Sequence, residues 1–389
     1  MRHHVTIKYM AHIKNLTLKN YKGFTDFRYS PRSINLIIGK NNTGKTTLLS
    51  AIDSLSSKDL SPDSYESPEY EINLNSKKAE IISDNRITEI YKDVTLLDPE
   101  MKNEIMIKLY QRIRKIFTKY VKKSDRDKTA DEFLKLVFNY FYFLVIVTDK
   151  TYFTMFPYQK NYKKTRREII QDFSKLIPTK VQSRDYYDLI FELSDITIKR
   201  QTINKNFKKL KIFSINHFNR LDLSFREGIE DIIEIENFIK ENDIIKNFER
   251  LTEEGIIFKT KNGLKYLPYD YYGDGFKSLI KTLHFLIKSK NGILLIDEAE
   301  NHMHPGYMNL LANIIFEYSK KLKIQVFMTT HSYDFIKEIL DQCKENKERE
   351  KNVLITRLVL EEGEIQKYDY DVIKALKITE ELNMDLRGV

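Results

Sequence analysis

Cysteine occurs once in the 389 residues, at Cys343. One cysteine cannot close an internal disulfide, which removes the stapled secreted scaffolds and agrees with a reducing cytosol. No stretch approaches the ~20 consecutive apolar residues that span a bilayer. The most apolar one, Phe138 to Val147, is rich in aromatic and β-branched residues and reads as a buried strand. No secretory leader shows at Met1-Arg2-His3-His4-Val5-Thr6-Ile7-Lys8, where charge has no apolar run behind it. Internal repeats and a sustained heptad pattern are missing, so a long coiled coil is not expected. These absences leave a cytoplasmic chain with no membrane partner as the expectation.

Hydrophobic residues make up 41% of the chain, enough for a sizeable core in two or three packed units. The net charge is +9. Basic residues cluster at Lys108 to Lys128, at Lys160 to Arg167 and at Lys199 to Lys211, with Tyr158, Tyr162 and Phe207 among them. That composition suits phosphate neutralisation with base stacking, which makes DNA or RNA an expected partner. A solvated lysine-rich face has the same composition. The abundance of Lys, Ile and Glu also fits a chain built for heat or an AT-rich genome.

The most informative run is Gly39-Lys40-Asn41-Asn42-Thr43-Gly44-Lys45-Thr46-Thr47, which matches G-x-x-x-x-G-K-[ST]. Apolar Ile34 to Ile38 precedes it and Leu48 to Ile52 follows, so the context is strand, glycine turn, helix. The glycines let backbone N–H groups curl around a β-phosphate, and the helix start adds its positive dipole end. Lys45 would reach the β- and γ-phosphates, and the Thr46 hydroxyl would ligate Mg²⁺.

Far downstream, Ile293 to Ile296 reads as a buried parallel strand that ends in Asp297-Glu298. Asp297 is placed to hold the Mg²⁺ shell and Glu298 to polarise a water. Strands also end in acids that merely cap the next helix. A further apolar strand, Ile324 to Met328, ends in Thr329-Thr330-His331-Ser332, where His331 could touch the γ-phosphate or the attacking water. Just before the acidic strand, Gly273-Asp274-Gly275 opens a helix with Phe276, Leu279, Ile280, Leu283, Leu286 and Ile287 on one face. It is a second anion-seeking helix start, or a plain glycine loop entering a core helix.

Phosphate loop, long middle segment, glycine signature, hydrophobic-Asp-Glu and strand-Thr-His-Ser follow in the order that resembles ABC-type ATPase heads, including SMC-like, RecF-like and OLD-like proteins. The run Asp297-Glu298-Ala299-Glu300-Asn301-His302-Met303-His304-Pro305 resembles the D-E-x-E-x-x-x-H-P of AAA-family ATPases of the AAA_15/AAA_21 type. The resemblance implies a P-loop NTPase of ABC type, with a mixed or parallel sheet, an antiparallel lobe I sheet and a mainly helical middle insertion. It implies ATP and Mg²⁺, hydrolysed in a nucleotide-sandwich homodimer. Lys45 and Thr46 resemble the Walker A pair, Asp297 and Glu298 the Walker B carboxylate and catalytic base, and His331 the switch histidine. Gly273, Asp274 and Gly275 resemble the signature that completes a partner's site, and Glu300 to Pro305 the segment along the dimer seam. The opening Ile13 to Phe24 resembles the family's first strand and turn.

In related systems such heads sit beside a nuclease or toxin in phage defence. The stretch after His331 is too short for a TOPRIM domain, so a nuclease or effector would be a separate chain. The signature here has glycine where serine is usual, which leaves open an ATP-gated scaffold with little turnover. A metal-dependent nuclease using His302, His304 and Asp297 is the remaining reading. Gln159, Gln182 and Gln201 all stand open as the glutamine that links lobe and metal.

The chain divides in sequence into residues 1–95, ATPase lobe I with Walker A; 96–205, a mainly helical insertion plus lobe I strands; and 206–389, lobe II with signature, Walker B and switch histidine. Ile105, Leu109, Ile113, Ile116 and Tyr120 predict an amphipathic helix, and strands are predicted at about 140–148 and 151–157 in the lobe I sheet. Later, a strand at 211–215, a helix at 232–250, hairpins at 255–267 and 353–370, and a helix near 307–319 are predicted.

Overall fold

The computed structural model describes residues 12–56, 76–84, 86–91, 93, 96–118, 122–148, 152–159, 171–173, 175–176, 210–215, 229–252, 254–301, 303–344, 346–381 and 384–387. These fall into two compact units, each assembled from separate stretches of chain. One comprises residues 1–15, 29–57 and 208–389, the other residues 16–28 and 58–207.

In the first unit a six-stranded sheet runs in the order β15-β14-β3-β13-β12-β8. Its strands are β3 (Ile34–Ile38), β8 (Ile212–Ile215), β12 (Ile293–Ile296), β13 (Gln325–Thr330), β14 (Val353–Glu361) and β15 (Glu364–Tyr370). All neighbours pair in parallel except β14 and β15, which form a hairpin turning at Glu362-Gly363, both at positive φ. Every residue of β3, β12 and β13 is buried, the signature of strands covered on both faces. Around the sheet lie α1 (Lys45–Asp53), α4 (Ile229–Glu241), α5 (Asp274–Lys288), α6 (Pro305–Leu322) and α7 (Tyr333–Lys344). The predicted face of α5 is wholly buried, with Leu279, Ile280, Leu283 and Leu286 all at 0% exposure, and it joins the largest apolar cluster.

The parallel register decides where the chemistry falls. Ile38 is level with Thr330, and Ile296 with Met328, so the loops after β3, β12 and β13 leave the same edge of the sheet. Ligands of open α/β sheets bind at that carboxyl edge. The predicted helix over 232–250 is shorter in the structure. It ends at Glu241, Asp243 turns with φ 46°, and Phe248–Leu251 forms β9 of a three-stranded sheet with β10 (Gly255–Thr260) and β11 (Gly263–Pro268). A residue in left-handed conformation cannot continue an α-helix, although the apolar spacing runs on.

The second unit carries an antiparallel sheet of order β2-β1-β4-β5-β6-β7. Its strands are β1 (Leu16–Tyr21), β2 (Phe24–Tyr29), β4 (Lys78–Ser83), β5 (Arg86–Tyr91), β6 (Phe141–Thr148) and β7 (Tyr152–Gln159), so the two strands predicted near 140–157 form and join this antiparallel sheet. Phe138 to Tyr140, read above as strand, belong instead to the end of α3 (Arg126–Tyr140). Helix α2 (Pro99–Phe117) buries Ile105, Leu109 and Ile113, as its spacing predicts, against Phe133, Val137 and Phe173. Tyr120, and most of the second and third basic clusters, lie outside the described residues. Among the described residues no helix is long and apolar enough to cross a membrane.

Candidate nucleotide site

The loop after β3 is shaped by glycine. Gly39 has φ +147°, and a Cβ there would stand 2.4 Å from the Leu358 carbonyl oxygen and 2.7 Å from Thr43 Oγ1. No other residue fits that backbone. Gly44, at φ 89°, sits at the N-cap of α1, and Asn42 is at φ 61°. Thr43 Oγ1 donates to the Lys40 carbonyl at 2.9 Å, pinning the loop across its mouth. Since glycine has no capping side chain, the first N–H groups of α1, at Lys45, Thr46 and Thr47, are left for an anion. Asn41, Asn42 and Thr46 are exposed, and Thr47 is half-buried.

Lys45 is buried and its Nζ donates to the Gly39 carbonyl at 2.9 Å and the Lys40 carbonyl at 2.7 Å. Burial pulls its ammonium below the ordinary lysine value, while the carboxylates of Asp297, Glu298 and Glu300 oppose that shift. A cation curled over its own loop, with three carboxylates in electrostatic range, is poised to extend onto a polyphosphate.

Thr46 Oγ1 donates to Asp297 Oδ2 at 2.8 Å, joining residues 251 apart in sequence. Their two oxygens converge from the helix start and the end of β12, and a hydroxyl beside a carboxylate is the donor set a hard divalent cation takes. Mg²⁺ therefore fits the residues present. Asp297 is held from its other side by Thr329, whose Oγ1 donates to Oδ1 at 2.5 Å and accepts from Glu298 N at 2.7 Å. Glu298 stands at φ 50°, a left-handed position, with its side chain 48% exposed. Its Oε1 is 3.9 Å from His331 Nδ1.

His331 follows β13 with its side chain 54% exposed. Buried Glu300 accepts from His331 N at 2.9 Å and Ser332 N at 3.1 Å through one oxygen, Oε1. Arg387 Nη1 donates to the His331 carbonyl at 2.6 Å. Lys45, Thr46, Asp297, Glu298 and His331 thus lie along one sheet edge. Thr329, Glu300 and Arg387 were assigned no individual role from sequence, because their partners are fixed by strand register and by a segment more than fifty positions away.

Gly273, Asp274 and Gly275 stand apart from that group. They line a cleft of about 540 Å³ with Ile244, Ile245, Tyr272 and His304, and no phosphate-loop residue takes part in its lining. Gly273 is the N-cap of α5 without a side-chain cap, and Asp274 pairs with Lys277 at 2.5 Å. His304 caps α6 by accepting from Gly306 N at 3.2 Å. His302 lies outside the described residues, and among those described no group of three His, Cys, Asp or Glu is disposed to hold a metal.

A glycine loop between a buried parallel strand and a helix, faced by the acids that follow β12 two strands along the sheet, defines a P-loop nucleotide-binding protein of α/β class. The model of the AAA ATPase domain family AAA_15 matches residues 12–336, and the chain belongs to that family. It is similar to an ATP/GTP phosphatase of Helicobacter pylori, 26% identical over 86% of this chain and 89% of that protein. A shorter likeness, 38% identity over 20% of this chain and 22% of the other, is to the Septu protein PtuA of Bacillus thuringiensis. Among solved structures, the Smc head domain with an extended coiled coil bound to the C-terminal domain of ScpA, from Pyrococcus furiosus, matches 96% of this chain and 99% of its own at TM-score 0.46 and 15% identity.

Proposed function

We propose that this chain hydrolyses ATP with Mg²⁺ in a nucleotide-sandwich homodimer and uses the cycle to act on DNA, RNA or a separate effector, in repair or phage defence. The observation that carries the reading is the Thr46–Asp297 contact, which ties the phosphate loop to the acidic strand with Lys45, Glu298 and His331 on the same edge.

In this reading the α1 N–H groups and Lys45 bind the phosphates, and Thr46 and Asp297 hold the Mg²⁺, which when bound neutralises developing phosphate charge. Glu298 takes up the proton of the attacking water, and His331 steadies that water or the γ-phosphate. Gly273, Asp274 and Gly275 of one copy contact the nucleotide of the other through backbone N–H groups.

The test is steady-state ATP turnover with Mg²⁺, with and without single- and double-stranded DNA and RNA, beside Lys45→Ala. Glu298→Gln should keep ATP bound, trap dimers and lower turnover by at least a hundredfold, within the range that a general base contributes. Unchanged turnover in that variant removes the role given to Glu298. The serine-free signature favours a second reading, an ATP-gated dimeric scaffold. Negligible wild-type turnover with every nucleic acid, alongside ATP-dependent dimerisation, would select it.

A further inference from the structure

The least explained group near the site is Glu300. Its side chain is 6% exposed, yet only Oε1 is engaged, and Oε2 is buried with no hydrogen-bond partner among the described residues. A carboxylate held this way is costly to bury, so packing alone does not account for it. Oε1 gathers the backbone N–H of His331 and Ser332 and also stands 3.3 Å from His331 Nδ1. On the opposite side of the same residue, Arg387 holds the His331 carbonyl. Arg387 is itself fixed, with Nε 2.9 Å from both carboxylate oxygens of Asp385 and its guanidinium over the Tyr333 ring. His331 is thereby gripped at its N–H and its carbonyl, with its Nδ1 lying 3.3 Å from the Glu300 carboxylate.

We infer that Glu300 and Arg387 are positioning residues for His331: the Glu300 carboxylate holds the imidazole as the tautomer with its proton on Nδ1, leaving Nε2 to meet the reacting groups, and Arg387 fixes the peptide that carries the ring. The physical basis is that the partner of one imidazole nitrogen decides which nitrogen carries the proton. A carboxylate only accepts, so at 3.3 Å it repels a lone pair on the nitrogen facing it and favours a proton there. This deepens the hydrolytic reading above and rests on it for the consequence to turnover, but the tautomer stands by itself.

Two measurements on the full chain test it. The first is long-range ¹H–¹⁵N NMR of protein labelled at histidine, with the His331 signal identified by its loss in His331→Ala. The wild type should show the Nδ1-protonated form and Glu300→Ala the Nε2-protonated form usual in water. An Nε2-protonated wild type, or a spectrum that Glu300→Ala leaves alone, overturns the proposal.

The second is a double-mutant cycle on ATP turnover. Glu300→Ala should lower kcat by at least about tenfold with KM within about threefold, and the Glu300→Ala/His331→Ala pair should be no slower than His331→Ala alone. Arg387→Ala should cost a few-fold in kcat, again only while His331 is present. Glu300→Gln keeps an oxygen for the two backbone N–H groups and should recover part of the loss, with melting close to wild type. Losses that multiply in the double variants overturn the positioning role. If the wild type shows no Lys45-dependent turnover, the hydrolytic reading fails, while the tautomer measurement still decides Glu300.

Discussion

Thr329→Val replaces one hydroxyl with a methyl at a fully buried position and leaves shape nearly constant. The hydroxyl serves two partners, donating to Asp297 Oδ1 and accepting from Glu298 N. A hydrogen bond to a charged acceptor contributes about 1.5–3 kcal/mol, and a stranded buried N–H costs about 1–3 kcal/mol more. Glu298 is half-exposed, so water can recover part of the second amount. The net loss is about 2–4 kcal/mol. For a domain of this size each kcal/mol moves Tm by about 2–4 °C, so Thr329→Val should melt about 5–15 °C below wild type. Turnover should also fall by at least tenfold, equivalent to about 1.4 kcal/mol, because both carboxylate-bearing residues lose their anchor. Thr329→Ser keeps the hydroxyl and should retain most of the activity. Circular dichroism melting and an ATPase assay on the three proteins decide it. A Tm within about 2 °C of wild type and unchanged turnover for Thr329→Val would refute the bridge.

Gly39→Ala must place a Cβ 2.4 Å from the Leu358 carbonyl oxygen at a left-handed φ, so it should cost roughly 3 kcal/mol or more and abolish nucleotide binding, read by melting and by a fluorescent ATP analogue. Normal binding in that variant would mean the loop relaxes away from β14. Cys343 is fully buried, and burial pushes its thiol up to about 12, so at pH 8 almost no thiolate exists in the folded state. Disulfide reagents should leave it unlabelled until denaturant is added, and rapid native labelling would reveal local opening of α7. Glu298→Gln is expected to hold ATP without turning it over, as the dimer-trapping assay described above would show.

The elements that sequence displayed well share one property. Buried parallel strands such as Ile34–Ile38 and Ile293–Ile296 are apolar throughout, so their ends are abrupt and the chemistry after them is conspicuous. Helix α5 was legible because its apolar face repeats without interruption from Phe276 to Ile287. Helix α4 was overextended because Ile244, Ile245 and Phe248 continue the apolar spacing, while the left-handed turn at Asp243 is set by the backbone. Thr329 illustrates the site's hidden part. It reaches Asp297 only because Ile296 pairs with Met328, and a one-residue slip would turn it to the other face. Glu300 and Arg387 are hidden for the same reason, since neither has a local pattern that announces its partner.

Strand β3 finds both neighbours late in the chain, pairing with β13 and β14, which begin at Gln325 and Val353. The buried side chain of Asn35 bonds the Val326 carbonyl across 291 positions, and Ile13 bonds Gln325 across 312. At ribosomal speeds of about 5–20 residues per second, roughly 15–60 s separate emergence of the phosphate-loop strand from emergence of the strands that flank it. During that interval Ile34, Leu36, Ile37 and Ile38 lack their sheet partners, so the nascent chain carries an uncovered apolar segment until β13 and β14 emerge. Nucleotide cannot template the loop early, because Asp297 and the β13 edge do not yet exist. The nucleotide site therefore closes only after β13 and β14, encoded about 290 residues or more beyond the phosphate-loop strand, have emerged.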